Sequence, residues 1–229
     1  MDPSELDFVD EEYETRMVGF EVDCNDGKGE PAACHHVAEF FSVVKNDKAR
    51  AAKLFAQNCE TNDHMPSCFS LARLYAIGKG VEVDMTKAES LFKKGCEGGL
   101  PHSCYFYGTM MLASADKMKD AAKKTETTQN AIKLLTENCM NGDVESCYTV
   151  GGYHISQSNP HRDPVKAEEV LKASCEKCHA PSCYNLAVMY KNGDTGVPKD
   201  STLYNKYKAQ TNKLINQRKK DLRQLTKGG

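Results

Sequence analysis

Apolar side chains recur along most of this chain at the spacing of one helix face, and short turns rich in Gly, Pro and Asp separate them. The pattern is clearest in residues 66–100, where Cys68, Leu71, Ala72 and Tyr75 occupy positions i, i+3, i+4 and i+7. Side chains at these intervals lie on one face of an α-helix. The segment therefore begins with a predicted amphipathic helix.

A turn and a second helix follow in the same segment. Gly78 and Gly80 predict the end of the first helix, because glycine adopts the left-handed conformation at a helix C-terminus without steric cost. Asp84 is the predicted N-cap of the second helix. The apolar residues of this second helix also share one face: Met85, Ala88, Leu91, Phe92 and Cys96. The segment is therefore predicted to be a helix–turn–helix unit.

The same unit recurs along the chain. A Ser precedes and an aromatic residue follows one cysteine in each of four repeats: Ser67-Cys68-Phe69, Ser103-Cys104-Tyr105, Ser146-Cys147-Tyr148 and Ser182-Cys183-Tyr184. These four cysteines are 36, 43 and 36 residues apart, and Cys34 lies 34 residues before the first of them. A fixed motif at a fixed period indicates a repeat array. We expect the aromatic residues of the motif to lie in the core.

The longer step of 43 residues contains a polar insert, residues 113–130, which we predict to be an extended loop or a helix with a polar overhang. In the later repeats Asp163 and Asp200 are predicted N-caps, as Asp84 is earlier. No long alternation of apolar and polar residues indicates strands. The predicted fold is therefore an all-α superhelix of about five helix pairs.

The two ends of the chain carry opposite charge. Residues 1–21 contain eight acidic side chains and one Arg, whereas residues 206–227 contain eight Lys or Arg and one Asp. We predict three parts: an acidic N-terminal arm over 1–30, a repeat array over 31–214 and a basic C-terminal tail over 215–229. The two charged ends are either solvated surfaces or docking surfaces of opposite sign.

Both ends are predicted to contact the repeats. Met17, Val18 and Phe20 are the apolar residues expected to dock the acidic arm on the first repeat. A long closing helix over 201–225 is expected to form the polar cap that a repeat array needs at its exposed end.

Ten of the eleven cysteines form close pairs in the sequence: Cys24 with Cys34, Cys59 with Cys68, Cys96 with Cys104, Cys139 with Cys147, and Cys175 with Cys183. In each repeat one cysteine ends a second helix and its partner begins the next first helix. The short loop between them can bring both within the roughly 5.5–6 Å Cα separation of a disulfide. Five structural disulfides are predicted, and metal binding is the competing interpretation, although the C-x-x-C…C-x-x-C spacing of zinc modules is absent.

Paired cysteines on this scale indicate an oxidising compartment. The acidic N-terminus, which starts with Met1, has no apolar core and so resembles neither a secretory signal nor an Arg-rich transit peptide. The mitochondrial intermembrane space reconciles these two observations, because proteins can be trapped there by oxidative folding.

No apolar run reaches the roughly 20 residues of a membrane span. The net charge of −2 argues against nucleic acid as a partner.

Cys178 is left over from the pairing and is predicted to carry a free thiol. With Cys175 and His179 it spells C-x-x-C-H, the signature of covalent haem attachment. Because Cys175 and Cys183 already occupy the pairing positions of the repeat, we expect an unpaired loop cysteine instead. Thiol–disulfide exchange and noncovalent haem or copper binding by His and Met stay open as alternatives. We predict no catalytic residue, no metal site and no cofactor.

Two segments of the chain resemble the Sel-1-like repeat. The first contains Leu71-Ala-Arg-Leu-Tyr75 with Gly78, Gly80, Asp84 and Gly98-Gly99; the second contains Leu186-Ala-Val-Met-Tyr190 with Gly193, Gly196 and Asp200. Sel-1-like repeats are tetratricopeptide-like helix pairs that stack into right-handed, protein-binding solenoids. The chain is similar to the cysteine-rich branch of this family, which includes bacterial secreted proteins and a mitochondrial branch. It departs from that branch in the polar insert and in Cys178.

The resemblance to the mitochondrial branch implies a role in the assembly of respiratory complex IV, cytochrome c oxidase, within the intermembrane space. The partners it implies are complex IV subunits or other assembly factors, together with the oxidative import machinery of that compartment. It implies a protein-binding scaffold and not an enzyme. A factor of the same pathway that binds haem or exchanges thiols is the first alternative, and a secreted repeat protein is the second.

Overall fold

The computed structural model describes residues 11–25 and 28–225. Eleven α-helices occur in these residues, and apart from one isolated bridge between Asp194 and Val197 they contain no β-structure. The chain forms two compact units, residues 1–107 and 108–229. The prediction of an all-helical repeat fold with about five helix pairs is confirmed.

The first unit contains a leading helix and two complete helix pairs. Its helices are α1 (Glu11–Cys24), α2 (Pro31–Val43), α3 (Lys48–Thr61), α4 (Met65–Ile77) and α5 (Met85–Glu97). Consecutive helices from α1 to α5 pack against one another, and their core centres on Val37, Phe41, Phe55 and Leu71. The next helix, α6 (Pro101–Lys117), contains residues of both units.

The second unit continues the same arrangement of helix pairs. Its helices are α7 (Ala121–Met140), α8 (Val144–Ile155), α9 (Pro164–Glu176), α10 (Ala180–Asn192) and α11 (Ser201–Leu225). Its core centres on Leu171, Leu186, Tyr190 and Tyr207. The closing helix extends over 25 residues, which is close to twice the length of its partner α10.

An aspartate begins the second helix of every pair. The Asp carboxylate accepts a hydrogen bond from a backbone N–H of the first turn, at 2.9–3.1 Å, in five helices: Asp47 in α3, Asp84 in α5, Asp120 in α7, Asp163 in α9 and Asp200 in α11. These bonds satisfy amides that have no partner within the helix. The predicted caps at Asp84, Asp163 and Asp200 are confirmed, and the structure adds the other two.

The helices of a pair approach closely because a small residue faces a large one. Gly108 lies four residues after Cys104, and a methyl group added there would come within 2.7 Å of Leu135 in the paired helix. A methyl group added at Gly151, four residues after Cys147, would come within 2.5 Å of Leu171. Ala occupies the equivalent position in the other three pairs, at 38, 72 and 187, and is buried in each. The small residue therefore sets the distance between the two helices.

The polar insert at 113–130 is helical. It forms the last turn of α6 and the first half of α7, whose polar surface is largely exposed. Of the two predicted structures, the helix with a polar overhang is the one observed, and the extended loop is wrong.

The acidic arm lies partly outside the described residues, which start at Glu11. From there it forms α1, in which Met17 is buried and Phe20 packs against the core of the first unit. Val18 is 59% exposed, so the prediction that it docks the arm is wrong. Val18 is adjacent to Met17 and so projects from a different face of the helix. The boundaries at residues 30 and 214 remain predictions.

The prediction that the aromatic residues of the repeat motif lie in the core is wrong for two of them. Phe69 and Tyr105 are partly buried, but Tyr148 is 37% and Tyr184 is 59% exposed. Their rings do not fill the space between the two helices of a pair. Tyr148 instead contacts the ring of His179 at the start of the following repeat, with 5.3 Å between ring centroids.

Candidate functional site

Each junction between consecutive repeats is closed by a disulfide. The structure joins Cys24 to Cys34, Cys59 to Cys68, Cys96 to Cys104, Cys139 to Cys147, and Cys175 to Cys183, with Cα separations of 4.4–4.8 Å. Eight of these ten cysteines are buried, and Cys96 and Cys104 are partly buried. Each bridge links the end of one helix to the first turn of another and so fixes the path of the chain between repeats.

A buried polar network lies beside the Cys59–Cys68 bridge. The Asn58 side chain donates hydrogen bonds to the Pro31 carbonyl and to Ser67 Oγ, both at 2.8 Å. The Nδ1 atoms of His35 and His64 each lie 3.0 Å from the same Ser67 Oγ. A hydroxyl accepts two hydrogen bonds and donates one. One histidine therefore donates to Ser67 and the other accepts from it, which leaves Ser67 fully bonded.

The same pair of positions recurs at the other junctions. The residue before the first cysteine of a pair faces the Ser before the second: Asn138 donates to Ser146 Oγ at 2.8 Å, and Ser182 donates to Ser174 Oγ at 2.9 Å. In the third junction Gly95 replaces the polar residue, and Ser103 Oγ is buried without a partner among the described residues. Helix periodicity does not indicate these contacts, although aligning the repeats on their cysteines brings the residues into register.

Burial changes the titration of the two histidines in this network. It lowers the pKa of His35 below the ordinary value of 6.5, against the opposing charge of Glu39. It also lowers the pKa of His64, where Glu30 opposes the shift. His36 is exposed on the same helix, so the two adjacent histidines face different surroundings. Neutral imidazoles at this position suit a hydrogen-bonded core.

The part of the chain that the structure describes contains no preformed metal site. No group of three or more His, Cys, Asp or Glu side chains there is arranged to hold a metal ion. The rings of His35 and His64 are near neighbours, with centroids 5.1 Å apart, but their Nδ1 atoms are both engaged with Ser67.

Cys178 is exposed and forms no disulfide. Its backbone is left-handed, with φ of +65°, a conformation that costs a residue with a Cβ about 1–2 kcal/mol. In two other repeats the third residue after the first cysteine is Gly99 or Gly142, and both also have positive φ. Cys178 therefore occupies a turn position that glycine fills elsewhere in the array.

The C-x-x-C-H sequence does not provide two free thiols. Cys175 is bonded to Cys183 and is buried, so only Cys178 of the motif is available for reaction. The motif spans the C-terminal end of α9, where the helix dipole disfavours a thiolate. A redox cysteine of the thioredoxin type has the opposite placement, at a helix N-terminus.

Three open grooves on the two units expose apolar side chains. The first, of 420 Å³, lies between α1 and α2 and is lined by Tyr13, Phe20, His36, Phe40 and Val43 among others. The second, of 660 Å³, lies between α6, α7 and α8, where polar side chains such as Thr125, Thr128, Thr149, Tyr153 and His161 line it. The third, of 470 Å³, lies between α10 and α11. Grooves of this kind suit the binding of peptide segments or helices.

No helix within residues 11–25 and 28–225 is long and apolar enough to cross a membrane.

Comparison with known families identifies two of the repeats. The family model for the Sel1 repeat matches residues 66–100 and 180–203. The first match covers most of α4 and all of α5, and the second covers α10 and the start of α11. A solved Sel1 repeat protein from Oxalobacter formigenes superposes on 88% of this chain and 80% of its own, with a TM-score of 0.74 and 18% identity. That likeness shows the fold.

Curated proteins named cytochrome c oxidase assembly factor 7 are similar to this chain in sequence. The human protein is 28% identical over 86% of this chain and 72% of its own length. The protein from Xenopus tropicalis is 27% identical over 76% of this chain, which spans 59% of that protein's length. Two segments of the chain thus match the Sel1 repeat, and most of the chain is similar in sequence to the cytochrome c oxidase assembly factor 7 proteins.

Proposed function

We propose that this chain takes part in the assembly of cytochrome c oxidase in mitochondria. The observation that carries the proposal is its similarity, over 86% of its length, to the human cytochrome c oxidase assembly factor 7. The similarity extends over 203 residues, so it concerns most of the chain and not one motif.

We further infer that the protein works in the intermembrane space. Five disulfides at the repeat junctions support this location, because such bridges persist in oxidising compartments and are rare in reducing ones. Entry into that compartment would then depend on its oxidative import machinery. A secreted repeat protein would also keep these bridges, and so location needs its own test.

The proposed mode of action is protein binding and not catalysis. Repeat arrays present extended surfaces made by successive helix pairs, and such surfaces bind other proteins. The grooves beside α2 and α11 expose apolar side chains, which is typical of interaction sites. Subunits of complex IV or other assembly factors are the proposed partners.

A deletion and re-expression experiment tests the assembly role. Cells that encode this chain are depleted of it, and mature complex IV is measured on native gels together with oxygen consumption. The proposal predicts that complex IV falls while the other respiratory complexes change less, and that the re-expressed chain restores it. Unchanged complex IV after full depletion would overturn the proposal.

Fractionation tests the compartment separately. In isolated mitochondria the protein should resist added protease, and it should become sensitive when the outer membrane is ruptured. Protection that survives rupture would place it in the matrix, and recovery from the medium would support the secreted alternative. Either result would contradict the intermembrane-space assignment without deciding the assembly role.

Thiol exchange is the second candidate function, and the strained backbone of Cys178 favours it. A cysteine kept where glycine fits better is a candidate for a chemical role. In such a reaction the Cys178 thiolate would attack a partner disulfide, form a mixed disulfide and release the partner's second thiolate. The variant Cys178→Gly tests this, because it removes the thiol and relieves the strain. Exchange with a glutathione-coupled disulfide substrate should be lost if the thiol acts, and unchanged if it does not.

We also propose haem as a ligand of the protein, as part of this second candidate function. Titration of the oxidised protein with haem, followed by absorbance, tests it. A saturable shift of the haem band that the variant His36→Ala abolishes would support a site beside the first groove. The absence of a saturable shift would contradict haem binding, and protein binding would be the remaining proposed function.

A further inference from the structure

The groove between α10 and α11 lies at the end of the last repeat. Its apolar surface is formed by Tyr184 of α10 with Leu214, Ile215 and Leu222 of α11. Tyr184, Ile215 and Leu222 are 59%, 41% and 54% exposed. The second half of α11 therefore does not act as the fully polar cap that the sequence predicts, because it presents an apolar face beside α10.

Earlier repeats show what covers the equivalent surface. The ring of Phe69 in α4 lies 5.6 Å from Phe106 and 6.2 Å from His102, both in α6, the first helix of the next repeat. The ring of Tyr148 in α8 lies 5.3 Å from His179, the N-cap residue of α10. In these two repeats the aromatic residue after the Ser-Cys pair thus contacts the N-terminal part of the first helix of the next repeat.

No described residue performs this role for Tyr184. It occupies the same place in the motif as Phe69 and Tyr148, but α10 and α11 form the last helix pair of the described residues. The groove is therefore equivalent to the surface that the first helix of the next repeat contacts in earlier repeats. The described residues contain no helix after α11 that could cover it.

The charge beside the groove favours an acidic occupant. Arg218 and Lys219 line it, and within the described residues neither forms an ion pair. Over 206–227 the only acidic side chain is Asp221, which accepts a hydrogen bond from Gln217 at 2.8 Å. An exposed apolar surface with unpaired cations beside it attracts an apolar segment that carries negative charge.

We propose that this groove binds the N-terminal end of an acidic amphipathic helix from a partner protein. The apolar face of the incoming helix covers Tyr184, Ile215 and Leu222, in the way that α6 packs against Phe69 and the start of α10 contacts Tyr148. Acidic residues in its first turn pair with Arg218 and Lys219 and also stabilise the positive N-terminal end of the helix itself. The inference rests on the proposed protein-binding function and specifies the chemistry of one partner.

Fluorescence anisotropy with a designed peptide tests the groove directly. The probe is a labelled peptide of about 18 residues, five helical turns, with Asp and Glu in its first turn and Leu at helical spacing on one face. A matched peptide carries Lys in place of the acidic residues. Titration with the full oxidised chain at physiological salt is expected to show saturable binding of the acidic peptide only.

Two double variants distinguish binding at the groove from attraction to the net charge of the protein. Arg218→Glu with Lys219→Glu reverses the charge beside the groove and should weaken binding at least tenfold. Lys213→Glu with Lys220→Glu makes the same change in net charge on the opposite face of α11 and should weaken it less than threefold. The uncharged variant Ile215→Ser should also weaken binding, because it removes apolar contact.

Three results would overturn the proposal. Equal weakening by both double variants would indicate unspecific attraction, and equal binding of the two peptides would exclude the acidic preference. Self-association of the chain in sedimentation, abolished by Arg218→Glu with Lys219→Glu, would identify a second copy as the occupant. Binding in vitro is independent of complex IV levels, so failure here and failure of the assembly proposal are distinguishable.

Discussion

The buried Ser before a cysteine has opposite hydrogen-bond environments in two neighbouring repeats. Ser67 contacts Asn58, His35 and His64, whereas Ser103 faces Gly95 and has no partner among the described residues. An unpaired buried hydroxyl loses its hydration without compensation, but a paired one connects three other polar groups. The same residue therefore has a different energetic role at the two positions.

Replacing each Ser by Ala measures this difference. Ser67→Ala removes the hydroxyl that Asn58 and both histidines contact, and it should lower the free energy of unfolding by about 1–3 kcal/mol. Ser103→Ala removes a hydroxyl that already lacks a partner and should be neutral or stabilising. Urea unfolding of the oxidised protein at pH 7.5 compares the two variants. Equal losses in both would contradict the assigned network.

The network also predicts a dependence of stability on pH. The folded-state pKa values of His35 and His64 lie below the ordinary value of 6.5, so the unfolded chain binds more protons as the pH falls below 6.5. Folding stability should therefore decrease with falling pH in that range and level off below the lowered pKa values. The melting temperature at pH 7.5 and at 5.5 measures the effect.

The matched variant for this pH effect is His35→Gln, which cannot take up a proton. It should be less stable than the parent chain at pH 7.5 and should show a smaller difference between the two pH values. An unchanged difference would assign the pH dependence to groups outside the network.

For Cys178, the sequence predicts the bonding state but not the backbone conformation. Its place outside the pairing follows from counting cysteines, and the structure leaves it unbonded. Its left-handed backbone follows only from aligning it with Gly99 and Gly142, which have the same turn. The residue type alone hides this angle, because cysteine at this position does not indicate a left-handed turn as glycine does.

Among the helices, close packing within a pair depends on one small residue. Gly151 of α8 contacts Leu171 of α9 so closely that an added methyl group would lie 2.5 Å from the Leu Cγ. Its neighbour Gly152 has no atom within 4 Å of the equivalent position. The two adjacent glycines therefore respond oppositely to the same substitution.

Gly151→Ala should overpack the α8–α9 pair and destabilise the protein by about 1–3 kcal/mol. Gly152→Ala adds a methyl group to open space within a helix and should stabilise it by roughly 0.5–1 kcal/mol, because alanine loses less conformational entropy than glycine. Thermal unfolding of both variants makes the comparison. A similar shift in both would show that the helices can move apart without cost.

A single junction disulfide should contribute a large part of the stability. Removing the Cys139–Cys147 bridge with two Ala substitutions releases a short loop and should cost about 2.5 kcal/mol in the chain-entropy model. Cys178→Ser, which removes no bridge, is the control and should cost much less. A loss below that of the control would show that helix packing alone holds this junction.

The helical elements were largely predictable, because their signals are local. Asp84, Asp163 and Asp200 cap the helices that the sequence assigned to them. The insert was harder to predict, because its polar composition suits both a loop and an exposed helix. The orientation of Tyr148 and Tyr184 depends on the next repeat and not on their own helix, and so the local pattern predicted it wrongly.

At the scale of the whole molecule, the fold and the proposed function both depend on the oxidation state of the cysteines. The five bridges recur at every repeat junction from α1–α2 to α9–α10, and reduction would release all of these junctions together. The repeat count and the cysteine pairs were predictable from periodicity. The grooves were not, because they form where side chains from separate helices meet.

One measurement tests this account most directly: differential alkylation and unreduced peptide mapping of the protein isolated from mitochondria. The account predicts one reactive thiol, at Cys178, and five bridged peptides that match the junctions of the structure. Several free thiols among the other ten cysteines would contradict both the bridged repeat fold and the oxidising compartment. A bridge between Cys175 and Cys178, with Cys183 free, would contradict the assigned last junction and support thiol exchange.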